Sequence, residues 1–272
     1  MLEITSDKII ASVDTVGARI DRLTFMGTDI LMPSLDGSPT HGGMALLFPF
    51  ANRIRSASYI WNGKKYSLPK DSEGNSIHGL VLNKKWSVAQ AGKSGVTLKC
   101  TIPMGEMPSE IAVIQSYSLT ESTFRCETSA TNMGEELIPI MIGYHPYFLH
   151  YGNWRVRFSN AEKLNYTDRY FPDGTYSRVE RGSLSSASGE ALDNCYRMEN
   201  VILETAKYSV GFQSQDFNYF VLYNGKWAGG VSVALEPMTG AVDCFHNGIG
   251  LKTVKPGETL SQSISLLFTP HQ

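Results

Sequence analysis

The sequence predicts an all-β fold, a large antiparallel sandwich, and three observations support this prediction. Many short segments alternate apolar and polar residues, turn signals recur between them, and no long amphipathic helix is evident. Of the 272 residues, 42% are hydrophobic and 18% are charged, so the chain can bury a large core instead of staying disordered. No linker, low-complexity tract or internal repeat divides the sequence. We therefore expect a single domain over residues 1–272, since large β-sandwiches are often one unit.

The strand predictions rest on periodicity. Residues 96–102, 124–130 and 208–212 carry apolar side chains at every second position. Successive side chains of a strand point to opposite faces of the sheet, so this alternation indicates strands with one buried face. The more continuous apolar runs 137–148 and 231–235 predict strands that are buried on both faces.

Turn residues separate these runs. The Asn-Gly pair within residues 61–66 tolerates the positive φ angles of a tight primed turn, so this segment predicts a β-hairpin. The Asp-Gly pair at 173–174, the Asn-Gly pair at 224–225 and residues 255–258 are similar turn signals. A short helical turn fits within residues 183–194, where the apolar alternation is weak.

The charge balance argues against two classes of partner. Lysine and arginine number 24, aspartate and glutamate 26, and the net charge is −2. We therefore expect no binding to nucleic acid or to an anionic membrane surface. No apolar run is long enough to span a bilayer. The first residues lack a basic segment followed by an apolar one, so we expect no secretory signal and a cytoplasmic protein.

Metal and cofactor motifs are absent from the sequence. The six histidines do not follow a zinc-binding spacing, and there is no H-E-x-x-H motif. The G-x-S-x-G, phosphate-loop and dinucleotide-binding fingerprints are absent as well. The four cysteines lie far apart, which indicates reduced thiols and not metal ligands or a disulfide framework. We therefore expect neither a metal nor a cofactor.

Five polar residues stand in contexts that suit a binding or catalytic site: Arg53, His78, His145, Asp193 and Glu236. Arg53 lies in an apolar segment, where a guanidinium needs hydroxyl or carboxylate partners. His145 is flanked by aromatic residues, and Glu236 closes an apolar strand. Each also has a purely structural interpretation. Arg53 could form an ion pair, His78 could be a turn residue, and His145 could be a packed histidine. Asp193 could cap a turn, and Glu236 could be a solvated strand end. The residues alone indicate a large β-sandwich with a polar cleft.

These contexts belong to an ordered series of motifs. An Asn-Arg-Ile segment precedes a G-x-x-Y-x-L hairpin and an N-x-x-H-G segment, and G-x-H-P-Y-F, L-D-x-x-[FY], L-E-P and a closing Lys-Pro-Gly-Glu-Thr follow. They occupy residues 52–54, 63–68, 75–79, 143–148, 192–196, 235–237 and 255–259. In this order they resemble the aldose 1-epimerase (galactose mutarotase-like) family. The resemblance covers roughly residues 10–270.

The resemblance implies a β-supersandwich with a sugar cleft on one concave sheet. It also implies reversible interconversion of the α and β anomers of an aldose, without a metal or cofactor. The partner is then a small-molecule sugar, and the chain is a monomer or a homodimer. By motif match, His145 resembles the general acid and Glu236 the general base. The residues that hold sugar hydroxyls would be Arg53, His78 and Asp193, with Asn52 and Tyr147 nearby.

The implied chemistry sets expectations for geometry. A base takes the proton of the anomeric hydroxyl while an acid protonates the ring oxygen. We expect His145 and Glu236 on opposite sides of the sugar, across a sugar-sized gap. Glu236 should then be ionised in a hydrogen-bonded setting, and His145 protonated beside a carboxylate. Tyr144 and Phe148 either form a platform for the C–H faces of the sugar or pack in the core.

Departures from the family pattern leave the sugar open. The chain is shorter than typical galactose mutarotases, Pro-Met-Thr-Gly-Ala-Val-Asp follows Glu236, and His145 stands where many members have two consecutive histidines. One alternative is a hexose-6-phosphate 1-epimerase, which needs a cationic phosphate pocket. Arg53 and Arg55 would not form it, because alternate residues of a strand face opposite sides. The others are a non-catalytic sugar-binding protein and a carbohydrate-recognition domain that serves a glycoside hydrolase, although the sequence has no linker for the latter.

The cysteine spacing leads to a first testable prediction. We expect Cys100, Cys126, Cys195 and Cys244 to be reduced and dispensable for activity. Alkylation of the unfolded protein without a reductant should label all four thiols, as measured by intact mass. Labelling of fewer thiols that becomes complete after reduction would contradict this.

Overall fold

The fold was analysed in a computed structural model that describes residues 1–34, 36–180 and 182–271. It confirms the all-β prediction, since the described residues form 26 strands and one four-residue α-helix, Cys244–Asn247. No helix within these ranges is long and apolar enough to cross a membrane. All four cysteines are free thiols.

The strands are numbered here in chain order. They are β1 (Leu2–Thr5), β2 (Ile9–Val13), β3 (Ile20–Phe25), β4 (Thr28–Asp29), β5 (Met44–Leu47), β6 (Arg53–Ile54), β7 (Ser58–Trp61), β8 (Lys64–Ser67), β9 (Ser76–Ile77), β10 (Ser87–Gly92), β11 (Gly95–Met104), β12 (Met107–Leu119), β13 (Thr123–Asn132), β14 (Ile138–Ile140), β15 (Gly143–Leu149), β16 (Arg155–Arg157), β17 (Asn160–Tyr166), β18 (Pro172–Arg178), β19 (Ser183–Ser185), β20 (Asp193–Glu199), β21 (Ile202–Glu204), β22 (Tyr208–Gln213), β23 (Tyr219–Tyr223), β24 (Ser232–Met238), β25 (Lys252–Val254) and β26 (Thr259–Pro270). Short 3₁₀ segments occupy Arg55–Ala57, Ser186–Ser188 and Lys226–Ala228.

Most strands belong to two large antiparallel sheets. The 11-stranded sheet has the order β1-β2-β3-β5-β15-β24-β23-β20-β17-β18, with β4 beside β3. The nine-stranded sheet has the order β10-β11-β12-β13-β26-β22-β21-β16-β19. Three further pairs, β6 with β9, β7 with β8 and β14 with β25, lie outside both. Among the central strands of the larger sheet, β23 and β24 are consecutive in the chain, whereas β15 comes from a distant part of it.

The core lies between the two sheets, and the alternation along β15 shows which side chains enter it. The Phe148 ring packs edge-on against Phe212 of the other sheet, with ring centroids 5.9 Å apart. Tyr144 is fully buried in the same core. His145 and Tyr147 occupy the intervening positions and therefore face the other side of the sheet. Tyr144 and Phe148 are thus core residues and not a sugar platform.

The strand predictions agree closely with the structure. The alternating segments 96–102, 124–130 and 208–212 lie within β11, β13 and β22. The hairpin is formed by β7 and β8, and its turn residues, Asn62 and Gly63, have φ angles of 48° and 75°. The apolar runs 137–148 and 231–235, which predicted strands buried on both faces, correspond to β14, β15 and β24. Local alternation is therefore enough to locate most of these strands.

Two of the sequence motifs pair with each other in space. Strand β6 lies antiparallel to β9, with Arg53 opposite Ile77. The His78 amide donates to the carbonyl of Asn52 at 2.9 Å. Both Asn52 and His78 have positive φ angles, 53° and 60°, a conformation that non-glycine residues rarely adopt. The Asn-Arg-Ile and His-Gly segments therefore form one small unit that holds two candidate site residues side by side.

Gly79 allows the close approach on which this unit depends. Its φ is +82°, and a Cβ atom there would lie 2.2 Å from the carbonyl oxygen of Phe48. Gly63 offers a matched control, because its φ is +75° but a Cβ would meet no atom within 4 Å. We expect Gly79→Ala to lower the free energy of unfolding by about 1–3 kcal/mol more than Gly63→Ala, as overpacking typically does. Denaturant titration measures this, and equal losses would show that the contact is unimportant.

Candidate active site

A cavity of about 410 Å³ contains all the candidate residues that the motifs pointed to. Its lining includes Asn52, Arg53, His78, His145, Tyr147, Asp193 and Glu236. These residues come from the unit of β6 and β9 and from three strands of the larger sheet, β15, β20 and β24. The sequence prediction of a common cleft therefore agrees with the structure, although their roles in it stay predictions.

His145 and Glu236 form the floor of this cavity. The register of β15 and β24 pairs Gly143 with Met238 and Tyr147 with Ala234, so His145 stands opposite Glu236. Their side chains are in direct contact, with His145 Nε2 3.4 Å from Glu236 Oε1. The two residues are only 5% and 2% exposed.

The expected sugar-sized gap between His145 and Glu236 is therefore wrong. Directly opposed residues of antiparallel strands have Cβ atoms about 5 Å apart, which leaves no room for a sugar ring between the side chains. A ligand in this cavity lies over the pair and touches both groups from the same side. The interpretation of Glu236 as a strand end is also wrong, because β24 continues to Met238.

A local interruption of the sheet accompanies the pair. Within the described chain, β15 and β24 share rungs at Gly143 and again from Tyr147 to Leu149, but none in between. Pro146 and Pro237 each follow one member of the pair, and neither has an amide hydrogen to donate to a ladder. The prolines therefore explain why the ladder is weakest beside His145 and Glu236.

Burial controls the protonation of both floor residues. It raises the pKa of Glu236 well above its usual value, and the nearby Asp193 carboxylate raises it further while Arg53 opposes this. Burial also lowers the pKa of His145 to about 3. Desolvation thus favours the neutral form of both groups, and at neutral pH His145 is uncharged, so their contact is not an ion pair. The expectation of a protonated His145 is wrong for the cavity as it stands, and burial opposes the expected ionisation of Glu236.

Several residues of the cavity lining carry a buried polar atom that lacks a protein partner. Arg53 Nε, His78 Nδ1, His145 Nδ1 and Glu236 Oε2 make no hydrogen bond to any of the described residues. Buried polar atoms are nearly always paired, since leaving one unsatisfied costs about 1–3 kcal/mol. All four residues line the same cavity. Such a concentration of unpaired donors and acceptors suits a ligand with several hydroxyl groups.

A second row of side chains crosses the sheet next to the floor pair. The registers align Asp193 with Tyr223, Tyr223 with Ala234, and Ala234 with Tyr147. The ring of Tyr147 also stacks on His145, with centroids 4.8 Å apart. Burial raises the pKa of Asp193, against the opposing effect of Arg53. Asp193 thus stands on the same face as the floor pair, two strands from Glu236.

Arg53 is held from above by a loop between β17 and β18. Its guanidinium carbon lies 3.8 Å from the ring centroid of Tyr170, and the Tyr170 hydroxyl donates to Glu73 Oε1 at 2.7 Å. Glu73 also approaches Arg53, with 3.8 Å between Oε2 and Nη2. These contacts orient the guanidinium, whose buried Nε has no partner among the described residues.

The sequence predicted that Arg55 would not join Arg53 in a phosphate clamp. The structure agrees, since Arg55 lies outside the cavity, but the reason is different. Strand β6 ends at Ile54, so Arg55 lies in the following 3₁₀ segment and not on the strand. Its guanidinium approaches Asp168 at 3.6 Å and Asp243 at 3.7 Å, outside the cavity. The two arginines therefore make no cationic clamp.

The comparison with protein families identifies the chain. The family model described as aldose 1-epimerase matches residues 1–267. The protein belongs to the aldose 1-epimerase family. Five of the seven motifs that suggested this, residues 52–54, 75–79, 143–148, 192–196 and 235–237, supply residues of the cavity lining.

Relatives of this aldose 1-epimerase family member cover different shares of it. The uncharacterized YihR protein of Escherichia coli is 26% identical over 267 residues, 91% of this chain and 86% of YihR. The galactose mutarotase of Rattus norvegicus is 29% identical over 152 residues, 53% of this chain and 42% of that enzyme. The chain thus spans less than half the length of the rat mutarotase that it matches.

Solved structures share the fold over nearly the whole chain. The GalM/aldose epimerase homologue from C. elegans has a TM-score of 0.86 at 16% identity, with 100% of this chain and 99% of that one covered. A galactose mutarotase-like protein from Clostridium acetobutylicum has a TM-score of 0.84 at 20% identity, with 99% and 95% covered. At these identities the likeness concerns the fold, the galactose mutarotase-like supersandwich.

Several cavity residues of this family member were not predicted from the sequence. They are Thr40, His41, Asp71, Ser72, Glu73, Ile77, Arg169, Tyr170, Tyr223 and Trp227. Glu73 had a signal, because it lies two residues before the start of the Asn75–Gly79 motif. Trp227 had a weaker one, as a tryptophan beside an Asn-Gly turn. Tyr170 had none, since only the loop conformation brings it over Arg53.

The buried histidine predicts a particular pH dependence of stability. His145 has a pKa of about 3 when folded and near its usual 6.5 when unfolded, so only the unfolded chain binds this proton between those values. The stability that neutral His145 contributes is present above pH 6.5 and is lost as the pH falls towards 3. The slope of the free energy of unfolding against pH reflects how many more protons the unfolded chain binds than the folded one. We expect His145→Asn to reduce this difference by up to about one proton.

Denaturant titrations between pH 7 and 3.5 measure the slope for each variant. His78→Asn provides a parallel case, because burial lowers the pKa of His78 well below 6.5. Both variants should lose stability less steeply with acid than the unaltered protein. Slopes identical to that of the unaltered protein would contradict the desolvated state of these histidines.

Proposed function

We propose that the protein interconverts the α and β anomers of an aldose, with Glu236 as general base and His145 as general acid. One observation carries this proposal. A histidine and a glutamate contact each other at the floor of a cavity whose lining residues, these two with Arg53 and His78, each carry a buried polar atom without a protein partner. Membership of the aldose 1-epimerase family supports it.

Ring opening needs two proton transfers. The Glu236 carboxylate takes the proton of the anomeric hydroxyl, the bond between C1 and the ring oxygen breaks, and the ring oxygen takes the proton of the His145 imidazolium. The products are an open-chain aldehyde, a carboxylic acid and a neutral imidazole. Rotation about the C1–C2 bond and the reverse transfers close the ring on the other face of the aldehyde.

Burial makes both groups more effective in these roles. Desolvation raises the pKa of Glu236, so its carboxylate is a strong base, and it lowers the pKa of His145, so its imidazolium is a strong acid. Ring opening converts the charged pair into the neutral pair that the dry floor favours. The burial that disfavours the reactive charges therefore also drives the proton transfers forward.

The charged pair forms without any exchange of protons with solvent. A protonated Glu236 beside a neutral His145 carries the same number of protons as a carboxylate beside an imidazolium, so one transfer across their contact interconverts the two forms. Hydrogen bonds from sugar hydroxyls to Glu236 replace its lost hydration and stabilise the carboxylate. Sugar binding thus prepares the acid and the base together.

The other candidate residues position the sugar in this proposal. The Arg53 guanidinium has the planar fork that suits neighbouring hydroxyls, and Asp193 accepts hydroxyl hydrogens. His78 is neutral, because burial lowers its pKa well below 6.5, and its imidazole donates or accepts one hydrogen bond with the sugar. Asn52 and Tyr147 complete the lining.

The charges of the lining favour a neutral sugar over a sugar phosphate. Two arginines, Arg53 and Arg169, share the lining with three further carboxylates, Asp71, Glu73 and Asp193, besides Glu236. Glu73 already lies beside Arg53, which reduces what that guanidinium offers to a phosphate. We therefore favour an unphosphorylated aldose over the hexose-6-phosphate alternative.

Variants of the floor pair test the proposal. Glu236→Gln and His145→Asn keep size and much of the hydrogen bonding but remove the proton transfer. Each should lower kcat by about 10² to 10⁴-fold with a smaller effect on KM. The double variant should lose less than the product of the two, because groups that act as a unit are not additive. NMR exchange spectroscopy between anomer signals measures these rates on a panel of aldoses with and without a 6-phosphate.

Exposed residues of the same types provide controls. Glu121→Gln and His271→Asn change a surface glutamate and a surface histidine outside the cavity, and both should keep the rate of the unaltered protein. A Glu236→Gln variant with the full exchange rate would remove the acid–base pair. Tight sugar binding by the unaltered protein with no acceleration of exchange would favour the sugar-binding alternative.

A further inference from the structure

The loop 167–171 joins β17 to β18 and contributes Arg169 and Tyr170 to the lining of the cavity. Internal hydrogen bonds give this loop its shape, because the carboxylate of Asp168 accepts from the amides of Tyr170 and Phe171 at 2.9 and 3.0 Å. Bonds within a loop do not determine where the loop lies against the rest of the protein. Contacts with other segments therefore decide whether its side chains reach the cavity.

Two arginines that flank Ile54 each lie against one ring of this loop. The guanidinium carbon of Arg53 lies 3.8 Å from the centroid of the Tyr170 ring. The guanidinium carbon of Arg55 lies 4.3 Å from the ring centroid of Phe171, a buried residue. At both distances the face of the ring attracts the cation. The loop thus contacts one arginine inside the cavity and one outside it.

Arg55 also lies between two carboxylates that belong to different segments. Its Nη1 is 3.6 Å from Oδ2 of Asp168 in the loop, and its Nε is 3.7 Å from Oδ2 of Asp243. The Asp243 side chain is only 5% exposed, and its Oδ1 accepts from the Arg55 amide at 3.0 Å and lies 2.7 Å from His246 Nδ1. The amide of Asp243 donates to the carbonyl of Arg53 at 3.1 Å. Arg55 therefore connects the loop to the segment that holds the backbone of Arg53.

This connection matters for the cavity because of the contacts that Tyr170 makes there. Its ring faces the Arg53 guanidinium, and its hydroxyl donates to Glu73 beside the same guanidinium. In the proposed function Arg53 binds the sugar, and these two neighbours orient it. An exposed ion pair by itself contributes little. The contacts of Arg55 are of a different kind, since a buried ring and a buried carboxylate hold its guanidinium as well.

We propose that Arg55 is a positioning residue, which holds the loop so that Tyr170 orients Arg53 towards the ligand. This inference rests on the proposed function and assigns a part in it to a residue that lies outside the cavity. Without the Arg55 side chain, the loop keeps its internal bonds but loses its link to Asp243. Tyr170 then lies over Arg53 for a smaller fraction of the time, and the guanidinium is less often oriented for binding.

Kinetics and NMR of Arg55→Ala test this assignment. The variant should raise KM for the preferred aldose by about three- to tenfold and change kcat by less than about twofold, because the lost contacts serve binding and not the proton transfers. An aromatic ring above a guanidinium shifts its NMR signals upfield, so the Nε–H signal of Arg53 should move downfield in Arg55→Ala. Arg53→Lys identifies that signal by removing it.

Further variants separate positioning from a general loss of structure. Tyr170→Ala should raise KM at least as much as Arg55→Ala, and the double variant should lose no more than Tyr170→Ala alone, because Arg55 acts through that ring. Arg55→Gln, which removes the charge but keeps most of the length, should show the same changes if Arg55→Ala folds poorly.

An exposed arginine in an ion pair elsewhere is the matched control. The Arg125 side chain is 45% exposed, close to the 43% of Arg55, and its Nη2 lies 2.9 Å from Glu127 Oε2, outside the cavity. Arg125→Ala should keep the KM and the Arg53 signal of the unaltered protein.

The outcomes distinguish this inference from the proposed function. An Arg53 signal that stays in place in Arg55→Ala would overturn the positioning role, whether or not any aldose is turned over. Multiplied losses in the double variant would overturn it too, because Arg55 would then act without Tyr170. A fall in kcat at unchanged KM would contradict the role in binding. Acceleration of no aldose by the unaltered protein would overturn the proposed function, and the part of Arg55 in it, even if the Arg53 signal moves.

Discussion

The site depends on the cross-strand contact between His145 and Glu236. These residues lie on two central strands of the larger sheet, and the antiparallel register of β15 and β24 sets them opposite each other. A slip of one residue would turn one of them into the core between the sheets. The geometry of the pair is therefore protected by the same hydrogen bonds and packing that hold the sandwich together. The ladder between β15 and β24 is interrupted beside Pro146 and Pro237, and this protection is relaxed there.

Burial of this pair opposes stability and favours chemistry. Neither group prefers its charged form in the dry floor, and several polar atoms around it lack protein partners. Each unsatisfied atom costs folding free energy, which the large apolar core between the sheets offsets. Under the proposed function, a sugar that pairs with these atoms removes this cost when it binds. Part of the binding free energy would then come from satisfying groups that the folded protein leaves unpaired.

Much of this arrangement was predictable, and the errors share one cause. Alternation located β11, β13 and β22, and the motifs pointed to residues that all line one cavity. The distance between His145 and Glu236 and the protonation of His145 were predicted wrongly, because both depend on which strands are neighbours and how dry the floor is. His41 and Trp227 were missed because they lie outside the motifs, and only their stacking in the cavity makes them recognisable as a pair.

The sequence by itself determined the strand pattern, the family and the identity of the polar residues, because alternation and short motifs are local properties of the chain. Only the tertiary structure decided that His145 and Glu236, 91 positions apart, touch at the floor of the cavity. It also decided that burial favours the neutral forms of both groups and that the stacked rings of His41 and Trp227 line the same cavity. Contact distances and desolvation depend on neighbours from remote segments, and no local pattern contains that information.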